Sequence, residues 1–416
     1  MREDITQEIL LRLPVKSLVR YKSLSKEWQE FISRNPAFRK HFMDRNRGCS
    51  FMLGFYITKH ILLLELEEQV RFLPTYNRGI SMFNKKRDKD TLSLLLDEPP
   101  KKNKSEDSAL LLKKSPNFFR DPAVRVLGSS NGFLLCSLDE KCPLNYIIIN
   151  PTNMLCVSLP VASASSDFYN HGFICHSSSL RFDTVDYYKV VRGITPDDWH
   201  KASPTAFEII SSGSSQWSLF CVSGPSPFDM DTTQTVNIII SETGLVYVPG
   251  ILYEEEATRD DPHHGVIILD DSKEDVQMME FPPTENEWIC RECIGQSEGS
   301  ILYARNEVGQ LKIWRLIDHH GGGEWSLIHN VSLESWMQQF KCILPEDEDL
   351  DFIPEAFHPL DQNVIFLIHN RKRLVYDLEK SKVECFCDLK AEGLDGLYYF
   401  FPYTCGLIGP HLFLCD

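Results

Sequence analysis

The sequence predicts a small all-α module of three short helices, followed by a large all-β domain. The first observation is that apolar residues recur every three or four positions in residues 4–42, the spacing of one helix face. The second is that short β-branched and aromatic runs, bounded by Gly, Asn, Asp or Pro, replace this pattern from about residue 50. The third is a composition of 43% hydrophobic and 25% charged residues, which suits a globular chain with a sizeable core.

Capping residues and prolines mark the predicted helices. Asp4, with Gln7 three residues later, forms a capping-box pattern at the start of the first helix. Pro14 disfavours helix at the residue before it and suits the first turn of a second helix. A further apolar stripe consists of Trp28, Phe31 and Ile32. Asn35, followed by proline, then predicts a stop and a restart.

The β part repeats a unit made of a strand, a polar turn, and a second strand or an aromatic residue. Examples are "YIIINPTNMLCVSLP", "LKIWRLIDHHGGGEWSLI" and "RLVYDLEKSKVECF", and such units recur about 45 to 62 residues apart. This predicts a β-propeller of six or seven blades, and a pair of stacked β-sandwiches is the alternative. Residues 84–116 interrupt the pattern as a charged insertion, either a solvated loop or an ordered excursion used in binding.

The net charge of −16 is unevenly distributed. Residues 1–47 hold eleven Lys/Arg and six Asp/Glu, about +5, so the remainder carries −16 − 5 = −21. Such an acidic body repels phosphates, which excludes nucleic-acid binding by counterion release. It favours neutral or basic partners, and a basic target surface in particular.

Thiols and motifs indicate a reduced compartment and no catalytic centre. The chain has 13 cysteines but no apolar run of membrane-spanning length, so we expect the cytoplasm, the nucleus or both, with no membrane partner. Cys290 and Cys293 form a CxxC without a second pair of matching spacing, so core thiols are expected rather than a metal site. The His263-His264 pair is expected in an exposed turn, and "GSSNG" is not expected to form a nucleophile elbow. No catalytic, cofactor-binding or metal-binding residue is predicted, and no cofactor.

The helical module carries more apolar surface than three short helices can bury. Fifteen large apolar residues lie within fewer than forty positions, from Ile5 to Phe42. A module this small rarely stabilises itself without staples or a partner. The spacing therefore predicts docking, either on the chain's own β domain or in a groove of a second protein. Basic side chains, among them Arg12 and Lys16, would border that surface and favour an acidic partner.

The stretch "EDITQEILLRLPVKSLVRYKSLSKEWQEFISRNPAFRKHF" resembles an F-box, most closely that of the large plant family in which an F-box precedes an F-box-associated β-domain. The resemblance rests on Ile9-Leu10, on Arg12 to Leu18 ("RLPVKSL"), and on Ser25-Lys26, Trp28, Phe31-Ile32, Pro36 and Phe38. It departs where Met1-Arg2 replace the family's Leu-Pro or Ile-Pro, and where Leu24 stands for the more common Val. In the body, "GSSNGFLLC", "INPTNMLCVSLP", "YYKVVR", "FEIISSGSSQW" and the terminal "FPY" are similar to the family's β-domain.

The resemblance implies an F-box at residues 1–47 and a kelch-like β-propeller at 48–416. It implies a substrate-recognition subunit of an SCF-type ubiquitin ligase, without catalytic activity of its own. The F-box would dock on the SKP adaptor and through it on the cullin and RING subunits, and the propeller would hold an unknown target protein. The residues implied in adaptor contact are Leu10, Leu13, Pro14, Leu18, Val19 and Trp28. Leu10, Leu18 and Trp28 could instead hold the helices together. Two other functions stay open: a propeller-based small-ligand binder or enzyme, and a regulatory F-box protein that binds without degradation.

Overall fold

The computed structural model describes only part of the chain. It covers residues 10, 25–35, 38, 50–59, 70–74, 124–139, 144–151, 155–162, 170–176, 185–194, 206–222, 228–229, 238–252, 263–283, 291–307, 309–317, 323–332, 352–369, 371–391 and 398–406. The charged insertion at 84–116 and most of the predicted first two helices lie outside these ranges. In the covered part, no helix has the length and apolarity to cross a membrane.

One helix of the N-terminal module is described, α1 (Lys26–Arg34), and it carries the predicted apolar stripe. Ser25 caps its start, because the hydroxyl oxygen accepts a hydrogen bond from the backbone N–H of Trp28 at 3.2 Å. Asn35 ends it, and the Asn35 Oδ1 accepts from the backbone N–H of Phe38 at 3.0 Å, where helical backbone resumes. The predicted stop and restart at Asn35 is therefore confirmed.

Beyond the module the described chain is all-β and consists of antiparallel sheets. It begins with β1 (Ser50–Lys59) and β2 (Val70–Pro74). Blade 1 contains β3 (Arg125–Ser130), β4 (Phe133–Ser137), β5 (Tyr146–Asn150) and β6 (Leu155–Ser158). Blade 2 contains β7 (His171–His176), β8 (Tyr187–Ile194), β9 (Ala206–Ser211) and β10 (Ser218–Cys221). Blade 3 contains β11 (Phe228–Asp229), β12 (Ile239–Ile240), β13 (Val246–Leu252), β14 (His263–Asp270) and β15 (Asp275–Glu280).

Two further blades and one terminal strand complete the described sheets. Blade 4 contains β16 (Arg291–Ser297), β17 (Ser300–Glu307), β18 (Gln310–Ile317) and β19 (Glu324–Ser332). Blade 5 contains β20 (Ile353–Phe357), β21 (Val364–His369), β22 (Lys372–Asp377) and β23 (Lys382–Asp388). The last strand, β24 (Tyr398–Gly406), pairs with β1, so that β2, β1 and β24 form a three-stranded closing sheet from both ends of the β domain.

The sheets form a closed β-propeller. The first strand of each blade contacts that of the next, in the order β3, β7, β12, β16 and β20, and the closing sheet contacts β3 through β24 and β1. In blade 3 this first position belongs to β12, which precedes β13 directly, and the two-residue β11 is an addition beside it. Between the closing sheet and blade 5, Phe55 stacks at 4.8 Å on Phe386 and meets Phe366 edge-on at 4.8 Å. This closure excludes the alternative of two stacked sandwiches. The five full blades and the closing sheet do not confirm the predicted number of six or seven blades.

Short turns assign the strand ends to two faces. In blade 1, Asn131 (φ 48°) and Gly132 (φ 83°) form a two-residue hairpin turn of the kind that "NG" predicts. Glu298 (φ 48°) and Gly299 (φ 78°) form the matching turn of blade 4. We define the upper face as the side that carries these turns between the first and second strands of each blade. Because adjacent strands are antiparallel, the turns between third and fourth strands lie on the same face.

Candidate functional site

The N-terminal module is the first candidate site, and the structure describes two of its six predicted adaptor-contact residues. Leu10 is helical and buried, with 2% of its surface exposed. Trp28 lies on α1 and is half-buried. Leu13, Pro14, Leu18 and Val19 fall outside the described residues. The burial of Leu10 fits the alternative role of holding the helices together, whereas Trp28 keeps surface that a partner can cover.

The apolar stripe of α1 packs into an aromatic cluster. Phe31 lies 5.4 Å from Phe38 between ring centroids, and Trp28 meets Phe31 edge-on at 6.4 Å. Ile32 and Phe38 are fully buried, so they serve the interior of the module. Trp28 extends this cluster towards the surface. An apolar ring at the edge of a buried cluster is a typical anchor for a protein partner.

The upper face of the propeller is the second candidate site, and hydrogen bonds between neighbouring blades define it. Asn131 donates to the carbonyl of Cys175 at 2.9 Å, which joins blades 1 and 2. Lys189 donates to the carbonyl of Gly244 at 2.7 Å and pairs with Asp271 at 2.5 Å, which joins blades 2 and 3. The Glu298 N–H and the Pro359 carbonyl join blades 4 and 5 at 3.0 Å. These bonds join blades 1, 2 and 3 to one another across the upper face, and they join blade 4 to blade 5.

Acidic side chains dominate this upper face. Those in its turns and at the adjoining strand ends, buried Asp377 apart, are Asp186, Glu242, Asp270, Asp271, Glu274, Asp275, Glu298, Glu324, Asp361 and Glu379. The exposed basic residues at the same positions are Lys273, Lys380 and Lys382. The opposite, lower face is balanced among the described side chains, with Asp139, Glu280, Glu292, Glu307 and Asp388 against Arg125, Arg371, Lys372 and Lys390. The described part of the acidic body therefore directs its negative charge towards one face.

Local contacts keep Asp270 ionised. The ammonium group of Lys273 and the hydroxyl of Ser272 both hydrogen-bond to Asp270 and lower the pKa of that carboxyl to about 2. Beside this turn, burial and the negative charge of Asp271 raise the pKa of Tyr187, so its ring is a neutral phenol at physiological pH. The upper face therefore combines fixed negative charge with an uncharged aromatic side chain.

Buried polar clusters occupy the lower half of the blades. Arg192 and Glu208 form an ion pair at 2.7 Å, and both are almost fully buried. Arg192 also donates to the hydroxyl of Tyr146 at 3.0 Å, and that oxygen lies 3.0 Å from His171 Nε2. The cluster joins blades 1 and 2 and is closed to solvent. Its geometry supports packing between blades rather than access for a substrate.

The remaining sequence motifs lie in the core or in the strands. Cys293 is a free thiol whose pKa is raised by burial, and it packs against the core shared by blades 4 and 5, as Cys385 also does. Cys290 lies outside the described residues, among which no group of three or more His, Cys, Asp or Glu could hold a metal ion. Ser130 matches the letters of Gly-x-Ser-x-Gly but ends β3 in a hairpin, whereas a nucleophile elbow joins a strand to a helix.

The expected turn position of the histidine pair is wrong. His263 and His264 begin β14, because the pairing of this strand with β13 continues to them, opposite Leu252 and Ile251. His264 Nδ1 lies 3.1 Å from Glu292 of blade 4. Glu292 also accepts a hydrogen bond from the Tyr303 hydroxyl. This interblade contact was not recognised from the sequence, because nothing local relates residues in two different blades.

Comparison with protein families now identifies both parts of the chain. Residues 3–40 match the F-box domain, and residues 103–397 match the β-propeller of F-box proteins described as At3g26010-like. The chain belongs to this family of F-box β-propeller proteins. The first match covers α1 and its cap, and the second begins before β3 and ends before β24.

Curated relatives agree with the family. The chain is 25% identical to the putative F-box protein At3g23970 of Arabidopsis thaliana, over 89% of this chain and 82% of the relative. It is 25% identical to the F-box protein At5g18160 of the same plant, over 85% and 73%. Among solved structures, the similar chains include a polysaccharide lyase, a PL25 ulvan lyase, at 10% identity and a TM-score of 0.33, with 63% of each chain covered. An acylaminoacyl peptidase of Pyrococcus horikoshii reaches a TM-score of 0.34 at 11% identity, over 63% of this chain and 39% of the peptidase.

These matches support an adaptor role in general terms. F-box domains bind SKP adaptors in SCF complexes, and the F-box and propeller of this chain together support an SCF substrate adaptor.

Proposed function

We propose that the chain is the substrate-recognition subunit of an SCF-type ubiquitin ligase in the cytoplasm or nucleus. The F-box at residues 1–47 docks on the SKP adaptor, and the β-domain at 48–416 holds a target protein for ubiquitination and proteasomal degradation. The observation that carries the proposal is an F-box joined in one chain to a β-propeller. The chain needs no catalytic residue for this role, because holding the target near the conjugating enzyme raises the effective concentration of its acceptor lysine.

For adaptor contact we propose Leu13, Pro14, Leu18 and Val19 together with Trp28. The apolar excess of the module supports this set, since each side chain buried at the contact contributes roughly 1.5–3 kcal/mol. Pro14 separates two predicted helices, so that Leu13 on one and Leu18 on the other can face the same partner. For Leu10, its burial within the chain supports a packing role.

The first prediction concerns Leu13 and Pro14. We expect the double variant Leu13→Ala/Pro14→Ala to lose the SKP adaptor, because it removes an apolar anchor and the helix boundary that orients it. The measurement is co-purification of the adaptor with the full-length chain after co-expression. Far-ultraviolet circular dichroism and thermal unfolding should show that the β-domain of the variant remains folded.

A matched control removes an exposed apolar side chain elsewhere. Leu219 on β10 has 63% of its surface exposed, and Leu219→Ala should retain the adaptor fully. Deletion of residues 1–45 should abolish the complex. The proposal fails if the full-length soluble chain never binds the adaptor, or if Leu13→Ala/Pro14→Ala binds it as the parent does.

Target turnover distinguishes degradation from regulation without degradation. We expect the amount of a bound target to rise when residues 1–45 are deleted and when the proteasome is inhibited. An unchanged target level in both cases would assign the chain to the class of F-box proteins that bind without degrading.

A further inference from the structure

Two aromatic rings on the upper face are stacked and open to solvent. His176, at the end of β7, and Tyr187, at the start of β8, have ring centroids 6.0 Å apart and an interplanar angle of 25°. Tyr187 has 36% of its surface exposed, and His176 is half-buried. Large apolar surface that remains exposed in a folded domain often marks a contact site. The pair therefore leaves aromatic surface within reach of a partner.

Residues of the two neighbouring blades border the pair. On one side, Asn131 Nδ2 lies 3.2 Å from His176 Nδ1. On the other, a Cβ placed on Gly244 would lie 3.9 Å from the Tyr187 hydroxyl, so the turn of residues 241–245 adjoins the ring. Glu242 in that turn is exposed and has no ion-pair partner among the described residues. The rings thus lie at a junction of three blades, next to the turn that carries Glu242.

The chemistry of this junction suits a cation. The face of an aromatic ring attracts an ammonium or guanidinium group within about 6 Å of its centre. Lys189, the nearest basic residue described, is buried, and its ammonium is already bound by Asp271 and the Gly244 carbonyl. Its charge is therefore neutralised locally. The acidic turns around the junction add long-range attraction for a positive partner.

We propose that the upper face binds a basic, extended segment of the target protein, and that a lysine or arginine of this segment inserts at His176, Tyr187 and Glu242. The occupant follows from charge complementarity, since this face is strongly acidic whereas the lower face is balanced. The inference rests on the proposed function in one respect, because it takes the bound protein to be the target of the ligase.

The test measures peptide binding to the full-length chain in complex with the SKP adaptor. The probes are fluorescein-labelled 12-residue peptides in which arginine, glutamate or serine alternates with glycine, followed by fluorescence anisotropy at low and physiological salt. We expect the arginine peptide to bind and the other two not to bind. In Tyr187→Ala/Glu242→Gln its affinity should fall about tenfold, the size of one desolvated cation–aromatic contact.

The matched control is Glu280→Gln. Glu280 is an exposed carboxylate in the same blade but on the lower face, at the end of β15, and its removal changes the net charge as Glu242→Gln does. We expect this control to keep the affinity of the parent. Unchanged melting temperatures in both variants would show that the fold is intact.

Equal affinity of the parent and the Tyr187→Ala/Glu242→Gln variant would overturn the inference. So would an equal loss in Glu280→Gln, since that outcome would indicate only non-specific attraction to an acidic protein. Adaptor co-purification is measured separately for every variant. Loss of the adaptor from the parent would refute the proposed function, whereas loss of peptide binding alone would refute only this inference.

Discussion

At the scale of single residues, sequence patterns do not predict which charged side chains are buried or which partners they have. Arg373 on β22 pairs with Glu355 on β20 at 3.0 Å, and its guanidinium lies 4.6 Å from the ring centre of Phe400 in the closing sheet. The contact therefore joins blade 5 to the closing sheet. In the sequence, both residues look like ordinary surface charges on strands, because pairing within a sheet and across sheets cannot be read from alternation.

Glu355 makes the stability of the fold depend on pH. Burial raises the pKa of Glu355 to about 7, against the opposing effect of Arg373. The folded state holds the Glu355 proton more tightly than the unfolded state does. The protonated carboxyl therefore contributes stability to the fold that is fully present below about pH 4.5 and is lost as pH rises through about 7. We expect the urea midpoint of the parent to fall between pH 5 and pH 8.

Glu355→Gln tests the origin of this pH dependence. The amide cannot ionise, so the urea midpoint of the variant should change less with pH between pH 5 and pH 8. The midpoint should also be lower than that of the parent at every pH, because Arg373 loses its partner. Parallel slopes for the parent and the variant would assign the pH dependence to other groups.

At the scale of elements, glycines let the first strands of neighbouring blades approach closely. A Cβ on Gly295 of β16 would lie 2.8 Å from the Phe357 ring of β20, and a Cβ on Gly172 of β7 would lie 2.7 Å from Ile238. A Cβ on Gly128 of β3 would lie 3.1 Å from Phe173. At three blade junctions, therefore, a glycine faces a large apolar side chain of the next blade. The sequence shows these glycines only as residues within strand-like runs.

Gly295→Ala should destabilise the propeller through overpacking. We expect a loss of about 1–3 kcal/mol in the free energy of unfolding, because the methyl group collides with the Phe357 ring in a packed core. The measurement is equilibrium unfolding in urea. The double variant Gly295→Ala/Phe357→Leu should recover part of the loss, since leucine frees the space of the ring. No recovery would place the strain in the backbone of β16 instead.

At the scale of the whole molecule, the closing sheet joins the first and last strands of the β domain and so closes the ring of blades. Nine residues of β1 pair with β24, from Ser50 with Gly406 to Lys59 with Tyr398. Phe55 of β1 also packs into the core of blade 5. The F-box and the ring therefore lie next to each other along the chain, since β1 begins soon after the module ends.

Removal of β24 should open the ring. We expect a chain ending at residue 397 to unfold at a lower temperature and in a broader transition, because β1 loses its partner and its exposed edge favours aggregation. Differential scanning calorimetry and light scattering measure both effects. A chain ending at residue 407, which keeps β24, is the control. Equal stability of the two truncated chains would show that the ring does not depend on this pairing.

The sequence by itself determined the order of the two parts, the F-box identity of the first and the all-β character of the second. The F-box identity came from the resemblance of residues such as "RLPVKSL" and Trp28 to a known family. The other features depend on local signals: helical spacing around Trp28, the stop at Asn35, and short β-branched runs bounded by turn residues. Only the tertiary structure decided that β24 closes on β1, that Leu10 is buried, and that the acidic turns share one face with Tyr187. These features join residues far apart in the chain, and no local pattern encodes which distant strands meet when a ring closes.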